Sequence, residues 1–236
     1  LQKSFSLKSK EQGTYSIVCR LFGLFPIKEV ALEVVEEAKV VPCGIPVGIY
    51  VKTDGILIIG TGTVTGSDGM NYEPAENLVK SGDYVKTVND QVIATKEDLI
   101  EKINQCQGEA VVLGVLREDE FIHLKVQPVQ VSEDEYKLGI WVRDDLAGVG
   151  TMTFYDGQGA YGALGHPVSD LDTGMKVSMG EGTLYEAEVA GITKGEKGSP
   201  GEIAGVITYL DQYRLGTVEE NTNVGIYGHL EQTPQK

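Results

Sequence analysis

The chain carries three histidines, His123, His166 and His229, and only His166 sits among residues that could put an imidazole to chemical use. It lies in YGALGHPVSDLDTG, residues 161–174, with carboxylates nearby at Asp170 and Asp172. Gly162, Ala163 and Gly165 let backbones approach closely, and Pro167 fixes φ just after the ring. His166 is therefore expected at the end of a strand, aimed by a rigid turn. Imidazole exchanges a proton near neutral pH, which suits a general base. The same residues also fit a histidine satisfied by one local hydrogen bond in a tight turn, and the motif alone leaves both readings open.

Other chemistries are weaker. Asp170, Asp172 and Glu181 fall at positions one, three and twelve of a calcium loop, but position six is Met175 where such a loop needs glycine. No metal site is assigned, and no cofactor is called for. Ser199 in KGSPG has the look of a serine nucleophile, yet Ser, Pro and two glycines form turns unaided, and a turn is the simpler reading. His123 falls between Ile122 and Leu124 in a strand and is expected on a solvent face. His229 is expected to be structural or exposed.

The elements that would position these groups are mostly strands. Glycine supplies 30 of the 236 residues, well above the roughly 7% of an average protein, and is spread throughout, as many turns require. From Tyr136 onward, short apolar runs separated by Gly, Asp and Asn read as an all-β barrel or sandwich. Leu138, Ile140 and Val142 alternate there, and Trp141 is expected as a core anchor. Residues 128–135 are polar and acidic, a linker and domain boundary. Upstream, residues 41–127 run through a Pro/Gly-rich loop VPCGIPVG, strands GIYVKT and GILIIG, SGDYVKTVNDQVI, a helix and two more strands, with REDE at 117–120 as a solvated turn. The helix should be capped by Thr95 with Asp98 and present Leu99, Ile100 and Ile103 at helical spacing. In residues 1–40, Tyr15–Leu21 and Val30–Val35 read as strands punctuated by Pro26, after a loose end at residues 1–12.

The formal net charge of −15 argues against nucleic acid or an anionic membrane as partner and leaves protein or peptide segments. Cys19, Cys43 and Cys106 form no CxxC pair and suggest neither a disulfide framework nor a zinc site. No apolar run approaches the roughly 20 residues needed to span a bilayer. The chain starts at Leu1, so an upstream signal or anchor is expected to have been removed.

Two resemblances sharpen this reading. The SGD turn, VND and the amphipathic helix resemble bacterial PDZ domains. Such a domain would offer a peptide free N–H groups in the loop and a strand edge to extend, here Gly44, Ile45, Val47, Gly48, Ile49 and Tyr50, with Leu99 and Ile103 closing the groove. YGALGHPVSDLDTG, with GIWVRDDLAGVGTMTFYD before it (139–156), resembles the peptidase domain of the SpoIVB sporulation serine peptidases. LFGLFPIKEV (21–30), GEKGSPGE (195–202) and LGTVEENTNVGIYGHL (215–230) match in the same order.

The SpoIVB resemblance implies a mostly β protein with a few short helices: an N-terminal strand segment (1–40), a PDZ-like domain (41–127) and part of a chymotrypsin-like β-barrel peptidase domain (136–236). It makes His166 the catalytic base and puts the aspartate and serine, the latter in an SGSP-like motif, downstream of Lys236. By the same resemblance the protein is exported, membrane-associated or held between forespore and mother-cell membranes. There it would cut a protein that controls sigma-factor processing, with the PDZ domain binding targets, restraining the enzyme or self-associating. The competing reading is a PDZ-containing peptide-binding or scaffold protein whose peptidase-like half has lost catalysis.

Overall fold

The computed structural model describes residues 8, 11–35, 37–199 and 201–232; the expected loose end at residues 1–12 lies almost wholly outside them. The chain divides into two compact units, Leu1–Val40 and Val41–Lys236. In the first, β1 (Gly13–Leu21) and β2 (Phe25–Val34) form an antiparallel hairpin, paired from Gly13 with Val34 to Leu21 with Phe25. Its reversal is made at Phe22 (φ 51°) and Gly23 (φ 75°), two left-handed residues in succession that match the twist of paired strands. Pro26, expected to separate the strands, is instead inside β2.

The second unit runs β3 (Val40–Thr61), β4 (Val64–Thr65), β5 (Asn71–Tyr72), β6 (Tyr84–Val88), β7 (Gln91–Val92), α1 (Lys96–Gln105), β8 (Val111–Arg117) and β9 (Glu120–Val126). There follow β10 (Val129–Ser132), β11 (Glu135–Lys137), β12 (Ile140–Asp156), β13 (Ala160–Ala163), β14 (Met179–Thr193), β15 (Glu202–Ile207), β16 (Arg214–Thr222) and β17 (Gly225–Leu230). The mostly β expectation holds, with one α-helix among the described residues. Residues 128–135, expected as a linker, instead form most of the β10–β11 hairpin.

Two apolar cores lie in this unit. The first gathers Ile56, Ile58, Val85, Val88, Leu99, Ile103, Leu113, Val115 and Leu138, and the second Val47, Ile49, Val51, Met152, Tyr161, Leu184, Leu215 and Ile226. Strand β3 feeds both. Val47, Ile49 and Val51 alternate inward to the second core, and Ile56 and Ile58 reach the first after a bend at Asp54 and Gly55. Gly55 sits at φ 92°, where a side chain would be strained, and a Cβ there would lie 2.9 Å from the Val85 carbonyl oxygen. Strand β12 runs beside β3 in the same sheet. The Gly62 N–H donates to the Gly139 carbonyl at 2.8 Å, Tyr50 to Asp145 at 3.0 Å and the Cys43 thiol to the Met152 carbonyl at 3.2 Å, which traces an antiparallel course. These two long strands are the spine that joins the cores.

Around the second core the pairing returns on itself: β3 to β12, β13, β17, β16, β14 and back to β3. Strands β14, β16 and β17 follow one another as neighbours while β13, which precedes them, lies beside β17, a Greek-key order. A circuit of this kind leaves none of the six strands as a bare edge along its paired length. Its sixth strand comes from residues 47–53, far upstream of the peptidase-like segment expected at 136–236.

The first core is built as the sequence suggested around α1. Thr95 caps the helix, accepting from the Asp98 N–H at 3.1 Å while Asp98 accepts from the Thr95 N–H at 3.0 Å. Leu99 and Ile103 are buried, whereas Ile100 is 54% exposed and belongs to the outer face. Leu138, Ile140 and Val142 pack into this core and not into the one that follows, because β11 and β12 pass beside α1. Trp141 points the other way. At 65% exposed it is not a core anchor but a surface ring over Gly60 and Gly62, where missing side chains leave room for it. Arg117, expected in a solvated turn, binds buried Asp83 through both carboxylate oxygens, at 2.8 and 2.7 Å. Asp83 also accepts from the Lys80 N–H, which explains the aspartate of the SGD turn.

Candidate active site

His166 follows β13, one of the six strands of the circuit. The strand ends because Leu164 turns into the left-handed region at φ 66°, a conformation that costs a non-glycine residue about 1–3 kcal/mol and persists only where the surroundings enforce it. They do so here: the Leu164 N–H donates to the Thr151 carbonyl at 2.8 Å and its side chain packs against the second core. Gly162 is required by the Phe154 ring, which a Cβ would meet at 2.5 Å, while Gly165 faces open space. The His166 ring is exposed, with Nδ1 2.9 Å from the Pro167 carbonyl oxygen. A carbonyl only accepts, so Nδ1 is the donor in this contact, and in the neutral ring Nε2 is the nitrogen left to accept a proton.

The ring borders a cavity of about 490 Å³ lined on its floor by Ile49, Val51, Leu146, Val149 and Leu164. Ile49 and Val51 come from β3 and Leu146 and Val149 from β12, so both spine strands shape the space in front of His166.

The carboxylates beside His166 in sequence are held by other partners. Arg143 binds Asp170 through Nη1 and Asp172 through Nη2, the second at 2.7 Å. Asp170 also accepts from the Asp172 and Thr173 N–H groups at 3.1 and 2.8 Å. Burial alone would push the Asp170 carboxyl up, but the Thr173 N–H and the Arg143 guanidinium outweigh it and hold the group below the ordinary carboxylate range. The residues next to Arg143 make two further links. Asp144 accepts from the Lys96 N–H at 2.9 Å and pairs with its ammonium at 3.0 Å, at the start of α1. Asp145 accepts from Tyr50, whose hydroxyl is pushed up to about 12 by burial and by that carboxylate.

The loop after His166 has a second anchor that sequence reasoning missed. Asn221, in β16, binds both backbone groups of Val168. An asparagine near the end of a strand carries no local signal of such a role; only the fold brings it 53 residues back along the chain.

The residues expected to receive a peptide are elsewhere occupied. Val47, Gly48, Ile49 and Tyr50 pair with Glu186, Tyr185, Leu184 and Thr183 of β14, with β12 on the other side, so no edge is open there. Gly44 and Ile45 lie in the same strand, which is no loop. Leu99 and Ile103 are 2% and 5% exposed, turned into the core. Ser199 closes a tight turn, exchanging hydrogen bonds of 3.0 and 2.8 Å with the Glu196 backbone, and is not among the residues lining the His166 cavity. His123 and His229 are both exposed, His123 with its ring edge-on to Phe121.

Residues 134–236 match the family of SpoIVB peptidases, S55. This region, a little under half of the chain, is similar to that family. The match contains His166, Arg143, Asp170 and Asn221, and it leaves out β3, the strand that completes the circuit and floors the cavity. No curated protein matches the chain. Among the described residues no helix is long and apolar enough to cross a membrane.

Proposed function

We propose that the chain is part of a serine endopeptidase in which His166 is the general base. One observation carries the reading: of the three histidines, His166 alone borders the cavity, behind a strained backbone turn and with Nδ1 held at the Pro167 carbonyl, inside the segment that matches the SpoIVB peptidases. In the reaction, Nε2 takes the proton of a serine hydroxyl as its oxygen attacks a peptide carbonyl. The resulting imidazolium returns that proton to the amine nitrogen as the C–N bond breaks. By resemblance the serine stands in a later SGSP-like motif and an aspartate orients the ring. Asp170 and Asp172 are committed to Arg143 and do not fill that role.

The family resemblance extends the proposal to a sporulation setting. The enzyme would be exported to the space between forespore and mother cell and would cleave a protein partner that governs sigma-factor processing. By the same resemblance the PDZ-like half would bind targets or hold the enzyme in check, through a surface other than the edge at Ile49, which is paired on both sides. The alternative, a PDZ-containing scaffold whose peptidase-like half has lost catalysis, is separated from this reading by the experiment that follows.

The test is labelling with a fluorophosphonate, read as intact mass, on the 236-residue chain and on the chain with its native continuation. Labelling of the continued chain alone, lost on His166→Ala, supports the proposal. Labelling of the 236-residue chain would place the nucleophile within it and make Ser199 the first suspect. Labelling of neither would sink the peptidase reading.

A further inference from the structure

We infer that Asn221 is the positioning residue for His166, a role resting on the reading of His166 as general base. A primary amide has one acceptor oxygen and two donor hydrogens. Asn221 uses them all on one loop: Oδ1 accepts from the Val168 N–H at 2.8 Å, and Nδ2 donates to the Val168 and Val177 carbonyls at 2.8 and 3.0 Å. The Val177 N–H also donates to the Val168 carbonyl at 3.1 Å, so the amide is the third member of a bridge between the two limbs of the loop. Asn221 is itself held in β16 opposite Ile226 of β17.

What this fixes is the ring. The His166 side chain is exposed, and its one hydrogen bond is to its own neighbour, Pro167. Its place therefore depends on the backbone either side. Upstream the chain is pinned at Leu164 by the Thr151 carbonyl, and downstream at Val168 by Asn221. Pro167, with φ fixed by its ring, transmits the second anchor across one residue. No other common side chain of this size replaces the amide. Aspartate is isosteric but cannot donate, and it would set a negative charge against two carbonyl oxygens. Alanine makes none of the three bonds.

The experiment compares Asn221→Ala and Asn221→Asp with the wild-type 236-residue chain, reading the imidazole resonances of His166 and His123 by NMR. His123, in β9 of the first core, reports whether the fold survives. We expect one narrow His166 signal in the wild type and a broadened or doubled one in both variants, with His123 unmoved. The ring should also react faster with diethyl pyrocarbonate in the variants. In the continued, cleaving chain, Asn221→Ala should lower kcat by tenfold or more, up to about 100-fold, with KM little changed, as misplacement of a reacting group by about 1 Å can do. An unchanged His166 signal in a folded variant overturns the inference. So does failure of both variants to fold, since Asn221 would then support the whole fold and not the loop. If Asn221 variants disturb the ring while His166→Ala leaves cleavage intact, the clamp stands and the reading of His166 as general base fails.

Discussion

Replacing Arg143 with methionine should turn Asp170 from a stabilising group into a destabilising one. The Asp170 side chain is fully buried and that of Arg143 32% exposed. Removing one partner of a buried pair costs about 3–5 kcal/mol because a charge is left without compensation. Here water reaches the guanidinium side, and two backbone N–H groups remain on Asp170, so we expect about 2–3 kcal/mol. For a chain of this length that is a fall of roughly 5–10 °C in Tm. The pH dependence gives the sharper test. In the wild type the folded-state pKa of Asp170 is lowered, so its stabilisation is present above the unfolded value of about 3.9 and is lost as pH falls through the folded value. Without Arg143, burial should dominate and raise that pKa above the unfolded one. The penalty then exists at neutral pH and is relieved on acidification, so the two urea-melting curves should converge toward pH 4. Asp170→Asn in the Arg143→Met background should recover part of the loss. A constant difference between wild type and variant from pH 7 to pH 4, with no recovery in the double variant, would refute the reasoning.

Arg117→Leu strands Asp83, which is 1% exposed, and should cost about 3 kcal/mol in urea denaturation, with partial recovery when Asp83→Asn is added. Leu99→Ala should cost about 3 kcal/mol while Ile100→Ala, one residue on, costs under about 0.5 kcal/mol; equal costs would contradict the placement of α1. Gly55→Val should lower stability by about 2 kcal/mol, since φ is positive and the Val85 carbonyl blocks a Cβ.

Local chemistry was legible wherever the cause was local. The Thr95–Asp98 cap announced α1, the alternation of apolar residues announced strands, and small residues followed by His-Pro announced the turn at His166. What stayed hidden was set by partners far along the chain. Pro42, Gly44 and Pro46 look like loop residues, yet Val47 to Glu186 is a register held across most of the unit, and no window of sequence contains both strands. The peptide-accepting edge expected at Ile49 disappears for that reason. Trp141 and Ile140 are adjacent on β12, and which of them faces inward depends on the glycines of β3. Arg143 and Asn221 resemble ordinary polar strand residues until the fold brings them to the loop that carries His166.

The central claim, that His166 is the base of a peptidase, is tested most directly by cleavage of a protein substrate by the chain with its native continuation, compared with His166→Ala. The account predicts a loss of about 10²–10⁴-fold in kcat, with the melting temperature unchanged because the ring is exposed. Cleavage at the wild-type rate by a folded His166→Ala variant would contradict it.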